Sequence, residues 1–133
     1  VAEAVAKTRK NVADAQRRRL ESARFPKTTH AAGAAEADIR RAWAVAIKDK
    51  KLLKISIYRP YEVRTEARWH RDHWVVNTYR YVGANCLAEL PSGKYLVYRM
   101  TFRNIRQADG SWGTLEHRGV GHVFEILQEN IDK

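Results

Sequence analysis

Residues 39–58, IRRAWAVAIKDKKLLKISIY, contain the point at which the periodicity of this chain changes. Ile39, Ala42, Trp43, Ala46 and Ile47 follow the i, i+3, i+4, i+7, i+8 spacing of a helix with one apolar face, while Arg40, Arg41 and Lys48 occupy the other. From Leu53 the period is two. Leu53, Ile55 and Ile57 alternate with Lys54, Ser56 and Tyr58, as in a strand with one side in the core. The switch predicts an α+β chain with its helices before its strands.

Towards the N-terminus, residues 2–23 (AEAVAKTRKNVADAQRRRLESA) read as a second helix, rich in good helix formers. Its stripe of Val5, Val12, Ala15, Gln16, Leu20 and Ala23 is thin, so the helix gains little from burial. Such a helix leans on the domain, projects into solvent or docks on a partner. Phe25-Pro26 ends it, because a residue before proline disfavours the α region. Thr28 or Thr29 is expected to cap the following helix, whose last turn runs into Lys48, Lys50 and Lys51.

Towards the C-terminus the strand pattern continues. Pro60 closes the first strand, and Tyr61, Val63, Thr65 and Ala67 alternate with Glu62, Arg64, Glu66 and Arg68 in a second. Residues 73–82 (HWVVNTYRYV) form a third, and Gly83-Ala84-Asn85 reads as a bend before Cys86–Leu90. Pro91-Ser92-Gly93-Lys94 is a turn into residues 95–106, the longest strand, and Ala108-Asp109-Gly110-Ser111 is another turn. Residues 112–118 and 122–127 complete the pattern around Gly119-Val120-Gly121.

The expected fold is a single α+β domain over residues 1–133: two N-terminal helices followed by a curved antiparallel sheet of about five or six strands. Its parts are a basic helical arm (1–27), an amphipathic helix (28–52), the sheet (53–127) and a tail (128–133). The order of elements alone is that of cone-shaped NTF2-like or cystatin-like architectures, and it carries no function with it.

The net charge is +10, and it is unevenly placed. Residues 1–60 hold 15 Lys/Arg against 6 Asp/Glu, whereas residues 61–133 hold 10 against 9. The asymmetry suggests that the helical half faces a polyanion and the second half carries the core. The Arg/Lys- and Ala-rich segment 1–27 faintly resembles an organellar targeting sequence but is read as part of the domain. No apolar run approaches the length of a transmembrane helix. Cys86 is the single cysteine, which excludes an intramolecular disulfide or a CxxC site and fits a reducing compartment, cytoplasmic or organellar.

Nucleic acid is the leading partner on this reading. Arg9, Lys10, Arg17, Arg18, Arg19 and Arg24 lie along the first helix, with Arg40, Arg41, Lys50 and Lys51 around the second; clustered cations are what phosphate neutralisation needs. Tyr79, Tyr81, Tyr95 and Tyr98, interleaved with Arg80, Arg99, Arg103 and Arg106, offer stacking. The expected function is a non-enzymatic basic module that binds an anionic partner or serves in a larger assembly.

The alternative is a small-molecule enzyme or binding protein with a pocket between the second helix and the sheet. Trp69-His70-Arg71-Asp72-His73-Trp74 and His117 supply its acid/base candidates, His70, Asp72 and His117, with Glu116 beside them. His117 and His122 face each other if Arg118–Gly121 is a tight hairpin loop, but the favoured reading is a bulge with both histidines at the sheet surface. No third ligand stands at metal-binding spacing, and phosphate-loop, dinucleotide, zincin and serine-hydrolase signatures are absent, so neither metal nor cofactor is expected. A third possibility is a secretion or membrane-complex assembly domain.

Overall fold

The structure, a computed structural model, describes residues 1–27, 30 and 33–133. Thr28 and Thr29, the expected helix caps, lie outside the described residues. The elements are α1 (Ala2–Ser22), α2 (Gly33–Ala46), β1 (Lys51–His70), β2 (His73–Glu89), β3 (Tyr95–Ile105) and β4 (Glu116–Ile126), followed by a short 3-10 turn at Gln128–Asn130. The strands form one antiparallel sheet in the order β1-β2-β3-β4. The α+β class and the helices-first order hold.

The sheet has four strands where five or six were expected, because positions read as breaks are absorbed as bulges. Pro60 lies inside β1, within the register shift between Arg59 and Glu62. A bulge leaves backbone groups outside the ladder, so a residue without an N–H does no harm there. Gly83 does not bend β2. It stays in the ladder opposite Arg59 and Thr101 because Tyr58 lies across it: a Cβ at Gly83 would sit 2.5 Å from Tyr58 Cζ. In the same way β4 runs through Gly119-Val120-Gly121 with two register shifts against β3. His117 and His122 therefore lie on one strand, opposite Phe102 and Arg99, and do not face each other.

The core splits by strand parity. On one face α2 lays Ile39, Ala42 and Trp43 on Val82, Ala84, Cys86, Ala88, Met100 and Phe102. The small side chains of β2 leave depth for the indole, which meets Tyr98 edge-on at 5.5 Å and donates from Nε1 to the Lys50 carbonyl at 2.9 Å. On the opposite face Phe25 packs with Leu87, Val97 and Ile126. Helix α2 ends at Ala46, earlier than expected, so Lys48, Lys50 and Lys51 follow the helix and do not form its last turn. The Trp43 bond to Lys50 draws the chain back over the helix end and into β1.

β1 and β2 outrun the rest of the sheet. Ile105, the last residue of β3, pairs with Tyr79, whereas β1 and β2 continue pairing to His70↔His73. Beyond Thr78 they form a two-stranded arm closed by Arg71 and Asp72. Arg71 has φ 58, the left-handed conformation that mirror-image hairpin turns require at their first loop residue. Trp69 and Trp74 face each other near the tip at 5.3 Å, and Thr65 and Thr78 Oγ1 atoms meet at 3.2 Å.

Candidate functional site

Helix α1 has no buried residue. At its C-terminal end Leu20, with Arg17, Arg19 and the following Ala23, faces Val123 and Phe124 of β4 across an open groove of about 870 Å³. Asn130 ties the helix end down by donating from Nδ2 to the Glu21 carbonyl at 2.9 Å. At 3.6 residues per turn, Lys7, Lys10 and Arg18 fall within an arc of about 80° on the side away from Val5 and Val12. Arg17 is paired with Asp14 at 3.2 Å and Glu21 at 3.9 Å. Lys7, Arg9, Lys10, Arg18 and Arg19 have no ion-pair partner among the described residues. Arg24 turns inward to the carbonyls of Glu21 and Ala23, at 2.8 and 3.0 Å.

The cations around α2 are placed differently. Arg40 pairs with Glu36 at 3.1 Å and reaches the Leu52 carbonyl, and Arg41 pairs with Asp38. Lys50 lies over the Tyr98 ring at 5.4 Å, and its pKa is raised by its hydrogen bond to that tyrosine. Lys51 is exposed at the start of β1. Because Phe25 and α2 pack on opposite faces of the sheet, the expected basic residues are divided between its two sides and do not form one surface.

The tyrosine–arginine alternation becomes a cross-strand lattice. Arg103 of β3 stacks on Tyr79 at 4.1 Å and donates to the Tyr81 hydroxyl at 3.3 Å; that hydroxyl donates to Glu66 at 2.6 Å. Arg99 lies on Tyr58 at 4.2 Å, and Arg64 over Tyr81 at 5.1 Å. Guanidinium groups of this molecule thus occupy ring faces of Tyr79 and Tyr81, two of the four tyrosines expected to stack bases. On the other face Arg80 is held between Tyr61 at 3.8 Å and Trp112 at 4.9 Å.

The acid/base candidates do not converge. Asp72 occupies the arm's turn with its side chain 93% exposed, bonded among the described residues to His73 Nδ1 at 3.1 Å. His70 and His73 stand edge-on across the ladder, 6.1 Å apart at the arm's tip. His117 lies in β4 against Phe102, with its Nε2 buried and without a hydrogen-bond partner among the described residues, and Glu116 is exposed beside it. The space between α2 and the sheet, where a pocket was expected, is filled by the Trp43 core. At its edge a cleft of about 320 Å³ is lined by Asp38, Arg41, Arg80, Asn104, Trp112 and Thr114, with none of the candidates. Tyr61 donates to Asp38 there at 2.9 Å, and burial, helped by that bond, pushes its pKa up to about 12. Burial likewise pushes the Cys86 thiol up to about 12, which keeps it from acting as a nucleophile near neutral pH. Among the described residues no three His, Cys, Asp or Glu side chains come together, and no described helix is long and apolar enough to cross a membrane.

Comparison with protein-family models, with curated proteins and with solved structures found no match.

Two features escaped the sequence reading. Lys7 belongs to the α1 basic stripe, and helical spacing from Lys10 would have found it. The length of the arm was also missed: a turn between strands with packed tryptophans is readable at 69–74, but the continuation of β1 and β2 past the end of β3 is decided by strand pairing.

Proposed function

We propose that this protein is a non-enzymatic basic module that docks on a polyanion, in the first place nucleic acid, through α1. The observation that carries the reading is a 21-residue helix that buries no residue and holds Lys7, Lys10 and Arg18 exposed and without ion-pair partners among the described residues. Burial does not explain its length, and intramolecular ion pairs do not explain its charge. Phosphates at the spacing of a duplex would neutralise Lys7, Lys10 and Arg18 and release their counterions. On this reading the α+β body, with the element order of NTF2-like and cystatin-like arrangements, is a platform within a larger assembly. A nucleic-acid partner would put the protein in the cytoplasm or an organellar matrix.

The test is fluorescence anisotropy with mixed-sequence duplex DNA and RNA of equal length, between 50 and 200 mM salt, roughly the range over which phosphate contacts reveal themselves. Three neutralised phosphates give a slope of log K against log salt of about −2.7. The triple variant Lys7→Glu, Lys10→Glu, Arg18→Glu should lose most of the binding and flatten the slope. Absence of binding at the lowest salt, or an unchanged slope in the triple variant, overturns the reading.

A further inference from the structure

The sheet order leaves β1 at an edge, and the two halves of that edge are treated differently. Before Pro60 it is covered: His30 forms an antiparallel bridge with Ile57 on the side away from β2. Beyond Pro60, from Glu62 to His70, β1 pairs only with β2 among the described residues. A long, regular edge strand is a template for another strand, and proteins usually block such an edge with proline, a bulge, charged side chains or a covering loop. Among the described residues the arm has only the charges, Glu62, Arg64, Glu66 and Arg68, and these alternate in sign, so they oppose some registers and favour another.

The direction of the free backbone groups follows from the hairpin. In a two-residue loop the flanking residues, here His70 and His73, exchange hydrogen bonds, so alternate residues Arg68, Glu66, Arg64 and Glu62 also point their N–H and C=O groups at β2. Val63, Thr65, Ala67 and Trp69 occupy the closer, non-hydrogen-bonded sites. The Trp69–Trp74 ring contact and the Thr65–Thr78 hydroxyl contact agree with that placement. The backbone groups of Val63, Thr65, Ala67 and Trp69 therefore face outward, away from the ladder.

We propose that this edge pairs with the same edge of a second copy, antiparallel, about a two-fold axis at Thr65. The charges select that register. With Thr65 opposite Thr65, Glu62 lies opposite Arg68 and Arg64 opposite Glu66, and each pair occurs twice by symmetry. Slipping the strands by two residues one way sets Arg64 against Arg64 and Glu62 against Glu66. Slipping them the other way sets Glu66 against Glu66 and Arg64 against Arg68. Like charges directly opposite are destabilising, and a slip of one residue fails because it turns the outward groups away and exchanges the faces. On the other face the same register brings Val63 against Ala67 and Tyr61 against Trp69, continuing the exposed apolar row of Val63, Trp69, Trp74 and Val76 across the two copies. Arg68 has no ion-pair partner in its own chain among the described residues, while Arg64 holds Glu62 at 3.1 Å and Arg103 is 3.9 Å from Glu66. The interface is isologous, so it closes at a dimer and does not extend into a fibre.

Sedimentation equilibrium on the full chain tests this. Wild-type protein should show a concentration-dependent monomer–dimer equilibrium. In Arg68→Glu the introduced carboxylate faces Glu62 of the second copy, and in Glu62→Arg the introduced guanidinium faces Arg68. Each variant alone should weaken dimerisation about tenfold. Mixed together, the two variants restore both attractive pairs and should form a heterodimer about as tight as the wild-type dimer. Thr65→Pro removes one outward N–H without touching the β1–β2 ladder, so it should abolish dimerisation while circular dichroism stays that of the folded chain. A wild-type chain that remains monomeric, variants that dimerise as well as wild type, or a mixture no tighter than either variant alone overturns the proposal.

Discussion

Helices α1 and α2 are neighbours in sequence and similarly rich in alanine and arginine, yet the fold uses them in opposite ways. Helix α2, with 14 residues, buries Ala35, Ile39, Ala42 and Trp43. Helix α1, with 21 residues, buries none. Helix propensity is high in both, so it does not separate them. The difference is the size of the apolar residues on the inward stripe. Val5 and Val12 offer too little area to repay docking, whereas the Trp43 indole fills the hollow over Ala84, Cys86 and Ala88. The ion pairs follow the same division: the arginines of α2 are occupied by Glu36 and Asp38, while most cations of α1 remain unpaired among the described residues.

The contrast between the helices rests most heavily on Trp43. Trp43→Ala should cost about 3–5 kcal/mol of unfolding free energy, read from urea denaturation, because the surrounding sheet cannot collapse into the space. A loss under about 1 kcal/mol would mean that α2 is no better docked than α1.

The next effect belongs to the layer beneath α2. Burial raises the Cys86 pKa in the fold above its ordinary value of 9.0, so the fold favours the neutral thiol. The resulting stability is complete below about pH 9 and is lost as pH rises towards 12. A shift of this size corresponds to roughly 3–4 kcal/mol. Cys86→Ser should flatten this part of the alkaline unfolding profile, and alkylation of Cys86 in mildly alkaline buffer should require unfolding. Rapid alkylation of the folded protein would count against a buried thiol.

Removing residues 1–20 should lower stability by no more than about 1 kcal/mol, since it takes away exposed surface and leaves Phe25 in its cluster. A larger loss, seen as a fall in Tm, would show that α1 supports the fold. The smallest change is expected at Val12, where Val12→Ala should alter stability by less than about 0.5 kcal/mol. Hydrogen exchange should find α1 amides opening far more readily than those of α2.

Much of the architecture was legible in the residues. The 3.6-residue stripe from Ile39 to Ile47, the shift to period two at Leu53, the turns at Pro91–Lys94 and Asp109-Gly110, and the weakness of the α1 stripe were all read from local pattern. Strand ends were not. Pro60, Gly83 and Gly119–Gly121 carry the composition of breaks, but a glycine under a tyrosine ring and a proline at a bulge are decided by the neighbouring strand. The candidate site was legible as a set of cations and illegible as a surface, because residue order cannot say which arginines an adjacent carboxylate or ring will occupy.

What is periodic and additive was set by the order of residues: two helices of unequal apolar content, strands after them, and a charge excess in the first 60 residues. These follow from side-chain volume, spacing and charge within a few turns or a few strand residues. The remainder came from packing in three dimensions. It split the basic half between the two faces of the sheet, covered Tyr79 and Tyr81 with arginines from other strands, and carried the histidines of the arm away from His117. It also left the outer edge of β1 without a strand partner beyond Pro60 among the described residues. Each of these depends on register between residues distant in sequence, and register is settled by the packing of the whole sheet at once.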